Sequence, residues 1–256
     1  MRLLFIAALL LAPFAANAAR CQYEAPRHLQ LDLAGVRAVQ IDVHGHDLHV
    51  TGSDSAKGLS LQGRACASDK AALDGLLVTQ RREGDQLLID LGGGSHFSFH
   101  LFGSSYADLD VSVQLPASVP VTVNVGSGDA DVSGMQQVQG MVGSGDLHAK
   151  QISGTFTASV GSGDVNAQDI GSLALGSVGS GDATVEGIRG DAALGSIGSG
   201  DVVLRKVGGS VHADTLGSGD FSVSDVAGDF SLGAKGSGDV SHSGVKGKVD
   251  VPQDDD

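Results

Sequence analysis

The tetrapeptide Gly-Ser-Gly-Asp recurs seven times. Its aspartates are Asp129, Asp146, Asp164, Asp182, Asp201, Asp220 and Asp239, at spacings of 17, 18, 18, 19, 19 and 19 residues. A near-constant period of this length marks a repeat architecture in which each unit is one winding of chain. Apolar residues keep step with it. One precedes the tetrapeptide (Val160, Val178, Ile197, Leu216), and others follow the aspartate at the first and third positions, as in Val165 and Ala167 or Val202 and Leu204. The sixth position is always apolar: Met135, Ile152, Ile170, Ile188, Val207, Val226 and Val245. A further alternating pair, such as Leu173 and Leu175 or Val211 and Ala213, completes each unit.

Alternation within short runs predicts strands, and the glycines between the runs predict turns. Strands of three to five residues cannot bury a face alone. Stacking each unit on the next pairs every strand above and below, and joins about six inward side chains per winding into one core. The fold expected is all-β: a single-stranded β-helix, or β-solenoid, of about seven coils of 17–19 residues over residues 121–251. With strands ~4.8 Å apart, seven coils make a rod roughly 30–35 Å long. An antiparallel sandwich would give no reason for one tetrapeptide at a constant period.

Residues 19–120 lack the tetrapeptide but alternate as strands do, at Val39, Ile41 and Val43, at Leu59 and Leu61, at Leu87, Ile89 and Leu91, and at Leu109, Val111, Val113 and Leu115. Glu83-Gly84-Asp85 is a turn between two of them. This region is expected to cap the open end of the solenoid as irregular coils, since a bare sheet edge templates aggregation. At the other end Pro252 and the acidic residues Asp254, Asp255 and Asp256, within a tail of residues 252–256, discourage further strand addition.

The first residues bear on compartment. Arg2, the apolar run Leu3–Leu11 and Ala16-Asn17-Ala18 have the order of a secretory signal peptide, residues 1–18. The apolar stretch is too short to span a bilayer, and the rest of the chain offers no transmembrane segment. Arg20 before Cys21 does not suit lipid attachment. In the oxidising compartment so implied, periplasm or cell surface, the two cysteines Cys21 and Cys66 read as one disulfide.

The chain carries 16 Lys and Arg against 30 Asp and Glu, a formal charge of −14, which argues against nucleic acid and anionic membrane surfaces as partners. It has 39 glycines, no Trp and ten Phe and Tyr, so the core must be built from small aliphatic side chains.

The tetrapeptide has two readings. Its glycines suit a turn with positive φ or a close backbone approach, and Ser and Asp can close such turns by accepting backbone N–H bonds. Alternatively, stacked aspartates ~4.8 Å apart form a column of like charges that repel by ~0.9 kcal/mol per neighbour in water. Asp129, Asp146, Asp164, Asp182, Asp201, Asp220 and Asp239 are therefore the candidate metal ligands, with Ca²⁺ as the cation. The period and carboxylate count do not match the nine-residue calcium solenoid repeat. No other cofactor is expected. His44 and His46 would share a strand face with His49 opposite, and His96 and His100 flank Phe97 and Phe99; solvated strand histidines explain these better than a transition-metal site.

No G-x-S-x-G elbow, H-E-x-x-H helix, Walker A loop or helix-opening G-x-G-x-x-G is present, and no histidine recurs beside the tetrapeptide as a base. No catalytic residue is assigned.

Over roughly residues 30–251 the chain resembles the bacterial adhesin-like β-strand-repeat proteins, a domain-of-unknown-function family related to autotransporter-adhesin head domains. The likeness rests on Val39-Gln40-Ile41-Asp42-Val43, on Leu109-Asp110-Val111-Ser112-Val113-Gln114-Leu115-Pro116 leading into Val121-Thr122-Val123-Asn124-Val125, and on the Gly-Ser-Gly-Asp coils with their following strands, such as Val202-Val203-Leu204-Arg205-Lys206-Val207. It implies an exported β-helix without catalytic residues. The function expected is a non-enzymatic scaffold presenting a repetitive Ser/Asp surface to an envelope protein, a glycan or another copy of itself. A Ca²⁺-binding structural module is the alternative, and a polysaccharide-processing β-helix enzyme the third.

Overall fold

The computed structural model describes residues 21–92 and 106–252. Residues 1–18, read above as a signal peptide, lie outside the described residues, as do His96, His100, the Phe97–Phe102 stretch and the tail residues Asp254, Asp255 and Asp256. In chain order the first part comprises β1 (Tyr23–Leu31), β2 (Ala38–His44), β3 (Asp47–Gly52), β4 (Leu59–Ala67), the short helix α1 (Lys70–Gly75), β5 (Val78–Glu83) and β6 (Gln86–Leu91). Next come β7 (Ala107–Leu115), β8 (Val121–Val125), β9 (Asp129–Ser133) and β10 (Val138–Val142), followed by two long strands, β11 (Asp146–Val160) and β12 (Asp164–Val178). The remainder is a series of short strands: β13 (Ala183–Ile188), β14 (Ala192–Ile197), β15 (Val202–Val207), β16 (Val211–Leu216), β17 (Phe221–Val226), β18 (Phe230–Lys235), β19 (Val240–Ser243) and β20 (Val249–Asp250).

The repeats wind as the period requires. Each coil places one strand in each of two facing layers, and equivalent residues of successive coils pair in parallel register: Val165 with Ala183, Ala183 with Val202, Val202 with Phe221. The inward columns are buried almost completely from Ala130 to Leu232 and form one continuous core with the N-terminal strands. Among the described residues no polar or charged residue is buried in it. Aliphatic side chains fill most of the narrow interior, and Phe156, Phe221 and Phe230 are its largest members, with Phe221 and Phe230 meeting edge to face at 5.6 Å.

The corner opposite the tetrapeptide has its own rule. The residue before the sixth-position apolar side chain is left-handed in every coil: Gly134, Gln151, Asp169, Gly187, Lys206, Asp225 and Gly244 all have φ between 56° and 78°. This bend turns the chain from one layer to the other and lets β11 and β12 continue around the corner without losing their pairing. Only three of the seven are glycine, so four coils accept the strain of a side chain there.

The N-terminal part departs from a simple winding. The coil formed by β2 and β3 is not at the end of the rod but sits between two later ones: β2 pairs with both β6 and β8, and β3 with both β7 and β9. Spatial order therefore runs from the β6–β7 coil to β2–β3 and on to β8–β9. The expectation of successive windings in chain order holds from β8 onward and is corrected before it. The cap itself is antiparallel rather than coiled. β5 folds as a hairpin on β6 through Gly84, and β4 and β1 add in turn to β7.

Helix α1 covers part of this end and has a local cause. The Asp69 carboxylate accepts the Ala72 N–H at 2.8 Å, and Leu73 faces the core. Arg27 of β1 donates to the Leu73 and Leu76 carbonyls at the helix end. Cys21 and Cys66 form the expected disulfide, with Cα atoms 5.4 Å apart, fastening the start of β1 to β4. For a loop of 45 residues the chain-entropy value is ~4 kcal/mol as an upper figure.

Candidate functional site: the stacked turn edge

The seven tetrapeptides lie directly over one another along one edge of the rod. In the five turns from Ser144 to Ser218 the N–H of the serine donates to the carbonyl of the first glycine one coil back, as Ser162 to Gly143 at 2.7 Å and Ser199 to Gly179 at 2.7 Å. The second glycine donates to that same carbonyl, as Gly163 to Gly143 at 3.1 Å. Hydrogen bonds therefore run along the rod, between turns rather than within them. Neither tetrapeptide glycine has positive φ. The second is required by close approach: a Cβ on Gly145, Gly163, Gly181, Gly200 or Gly219 would collide with the carbonyl oxygen of the equivalent glycine beneath. Of the two roles considered for these glycines, contact alone applies.

The aspartates stack too, with a change midway. In the first coils the aspartate N–H donates to a backbone carbonyl, Asp146 to Gly128 and Asp164 to Gly145, each at 3.2 Å. From Asp182 onward it donates to the side chain of the previous aspartate instead: Asp182 to Asp164 Oδ1 at 3.1 Å, Asp201 to Asp182 at 2.9 Å, Asp220 to Asp201 at 2.8 Å and Asp239 to Asp220 at 3.4 Å. Each carboxylate so bonded gains a charge-assisted bond that offsets part of the repulsion from its neighbours. The side-chain acceptor role expected from turn chemistry is thus present, but it acts across coils.

The column is longer than the tetrapeptide count. Asp47 aligns with Asp129 on one side and Asp110 on the other, so nine carboxylates stack from Asp110 to Asp239. Eight steps of ~4.8 Å give an edge of roughly 38 Å. A degenerate signal for Asp47 exists in the sequence: His44-Gly45-His46-Asp47 keeps only the aspartate of the tetrapeptide, but has Val43 before it and Leu48 and Val50 after. Its backbone lies under the first tetrapeptide, Ser127 N–H donating to the His44 carbonyl at 2.6 Å and Asp129 N–H to His46 at 3.1 Å. All seven tetrapeptide serines are exposed, and the edge displays hydroxyl and carboxylate in alternation.

The histidines are reassigned by this turn. His44 ends β2 with φ 55° and His46 stands in the turn, so they do not share a strand face as expected. His44 Nε2 lies 3.0 Å from Asp90 Oδ2; His49, on β3, lies between Asp131 at 3.1 Å and Asp110 at 3.8 Å. His46 is half-buried and its pKa is lowered, first by burial and then by His44. Among the described residues no three His, Cys, Asp or Glu side chains converge as a metal-holding group.

Burial raises the Asp47 pKa above the usual carboxylate value, and the stacked Asp129 and Asp110 add to the rise. A carboxyl whose folded pKa is raised contributes stability below its unfolded pKa, and that contribution is lost as pH climbs through the folded value. At neutral pH the ionised group therefore weakens the fold. Asp47→Asn is expected to melt above the parent at pH 7, with the gap closing near pH 3. A lower melting temperature at pH 7 would contradict this account.

Several cations gather at the opposite corner, while Lys235 stands at the start of the last tetrapeptide turn. Lys150, Arg189, Arg205 and Lys206 all fall around the left-handed corner, where Lys206 pairs with Glu186 at 2.6 Å and Arg189 donates to the Ser153 carbonyl at 2.8 Å.

A two-layer parallel β-solenoid with an antiparallel cap and one acidic, hydroxyl-bearing edge is a structural repeat protein. Residues 36–251 match the family described as Toastrack DUF4097, and the chain belongs to it. No curated protein matches it in sequence. Among solved structures, a "putative lipid binding protein" from Parabacteroides distasonis is 16% identical, with 89% of this chain and 97% of that one covered at a TM-score of 0.54. A "putative adhesin" from Bacteroides fragilis is 14% identical, with 90% and 98% covered at a TM-score of 0.39. A "putative cell adhesion protein" from Clostridium sporogenes is 10% identical, with 91% and 100% covered at a TM-score of 0.33. At these identities the likeness is one of fold.

Proposed function

We propose that this protein is an exported, non-enzymatic scaffold that presents its Ser/Asp edge to a partner in the cell envelope, a glycan or a protein. The observation that carries the reading is the edge itself: nine stacked carboxylates at one repeat distance, seven of them flanked by an exposed serine. A rigid array of this kind suits a partner that is itself repetitive, because many weak contacts then add at a common spacing. The Cys21–Cys66 disulfide supports export, since such bonds persist in oxidising compartments. Among the described residues no helix is long and apolar enough to cross a membrane.

Capture from envelope extracts, and on an array of envelope glycans, tests the reading. The variant Asp182→Asn/Asp201→Asn/Asp220→Asn removes three charges but keeps an oxygen that can accept the N–H of the next coil. It is expected to fold as the parent does and to lose the captured partner. Undiminished capture would remove the edge from the binding role. Ca²⁺ binding by the column is a second reading, favoured by the position of Asp47 between two carboxylates. Identical melts with Ca²⁺ and with chelator would dismiss it. Glycan turnover abolished by an aspartate substitution would replace both with the enzyme reading.

A further inference from the structure

The two ends of the rod are protected very differently. At the N-terminal end the outermost strands are β1, with Pro26 and charged Glu24 and Arg27, and β5, with Arg81, Arg82 and Glu83 exposed. Proline and charge on an edge strand are devices that refuse a further strand. At the C-terminal end the guards expected from the sequence fall in one layer only, where β20 carries Asp250 and Pro252 follows it; the last strand of the facing layer, β19, reads Val240-Ser241-His242-Ser243 and has neither. Phe221 N–H donates to the Asp239 carbonyl, which by parallel alternation turns the N–H groups of Val240 and His242 off the end of the rod. Among the described residues no further strand covers the ends of the apolar columns. Val249 is 42% exposed, where Phe230, its neighbour one coil back, is 0% exposed; Val240, Val245 and Val251 are only partly buried.

We propose that this C-terminal end is a tail-to-tail dimer interface whose occupant is a second copy of the chain. The guarded N-terminal end excludes head-to-tail growth, so a closed two-fold pair satisfies the edge without making fibres. Charge selects the axis. A two-fold axis lying along the strands would set each Asp239 edge on its counterpart, acid against acid. An axis perpendicular to both layers reverses the edges, and lays β19 antiparallel on β19 of the other copy. The Asp239 edge of one molecule then meets the corner of the other that carries Lys246 and Lys248. Both lysines sit in that corner's stack, their N–H groups bonded to the Val226 carbonyl and Asp229 Oδ1.

This inference does not depend on the envelope partner, and sedimentation equilibrium over a range of protein concentrations tests it. The parent is expected to be a dimer that loosens as salt is raised. Lys246→Asp/Lys248→Asp, with both substituted side chains exposed, should weaken it ~10-fold or more through like-charge contact, and adding Asp239→Lys should restore it. His242→Pro, which removes one outward N–H while sparing the bond to β17, should abolish it. A monomeric parent at every concentration overturns the proposal. So does a dimer that ignores the charge reversals, because it would be built elsewhere.

Discussion

Gly163→Val is expected to unfold the rod at its middle, at a cost of ~3 kcal/mol or more. Gly163 is the second glycine of its tetrapeptide, and an added Cβ would collide with the Gly145 carbonyl oxygen in the coil beneath. That oxygen belongs to backbone rather than to a flexible side chain, and it accepts the Asp164 N–H at 3.2 Å. Making room means prising two coils apart along the edge, which breaks the Ser162 and Gly163 bonds to Gly143 as well. Ser162→Ala is the control. Its side chain is exposed, and surface changes of this sort fall within about 0.5 kcal/mol. Urea midpoints of the two variants decide the matter: a Gly163→Val midpoint near that of Ser162→Ala would mean the coils are not packed at backbone contact. The comparison separates two letters of one tetrapeptide, the glycine holding the stack and the serine facing out of it.

How much of this was legible follows from what a period encodes. Identical letters at a constant spacing must stack, so Val165, Ala167, Ile170, Leu173 and Leu175 could be read as one coil's inward set, and all are buried. The disulfide and the Glu83–Asp85 turn were legible for local reasons. The intercalated β2–β3 coil was not, because periodicity carries no information about pairing between strands as far apart in sequence as β2 and β8, where Val39 meets Val121. The left-handed corner was hidden by its occupants, since Gln151, Asp169, Lys206 and Asp225 stand where glycine would have advertised it. His46 looked like a strand residue because, with His44, it continues the polar half of the alternation around Val39, Ile41 and Val43. Only the left-handed backbone of His44, stacked beneath Gly126, shows that the strand ends there. The edge was legible as seven aspartates and is nine long, the extra two lying in coils that kept the aspartate and lost most of the tetrapeptide.

Ile188→Asp probes the other half of the argument, the core. Ile188 is 1% exposed and belongs to the sixth-position column, paired with Ile170 on one side and Val207 on the other. Among the described residues the core contains no buried polar group that could receive a carboxylate. The substituted side chain must therefore stay protonated, or draw water into the rod, or force the corner open. Each course costs several kcal/mol, roughly 3–5 by comparison with other uncompensated buried charges. Ile188→Val, which removes one methylene, should cost only ~1 kcal/mol. A solenoid adds a feature that a globular core lacks: each coil touches only its neighbours, so damage at mid-rod separates two stacks that keep their own contacts. The Ile188→Asp melt is accordingly expected to split into two transitions, an earlier one for the coils beyond β13 and a later one for the disulfide-fastened N-terminal part. A single cooperative melt at the parent temperature would mean that Ile188 does not point into the core.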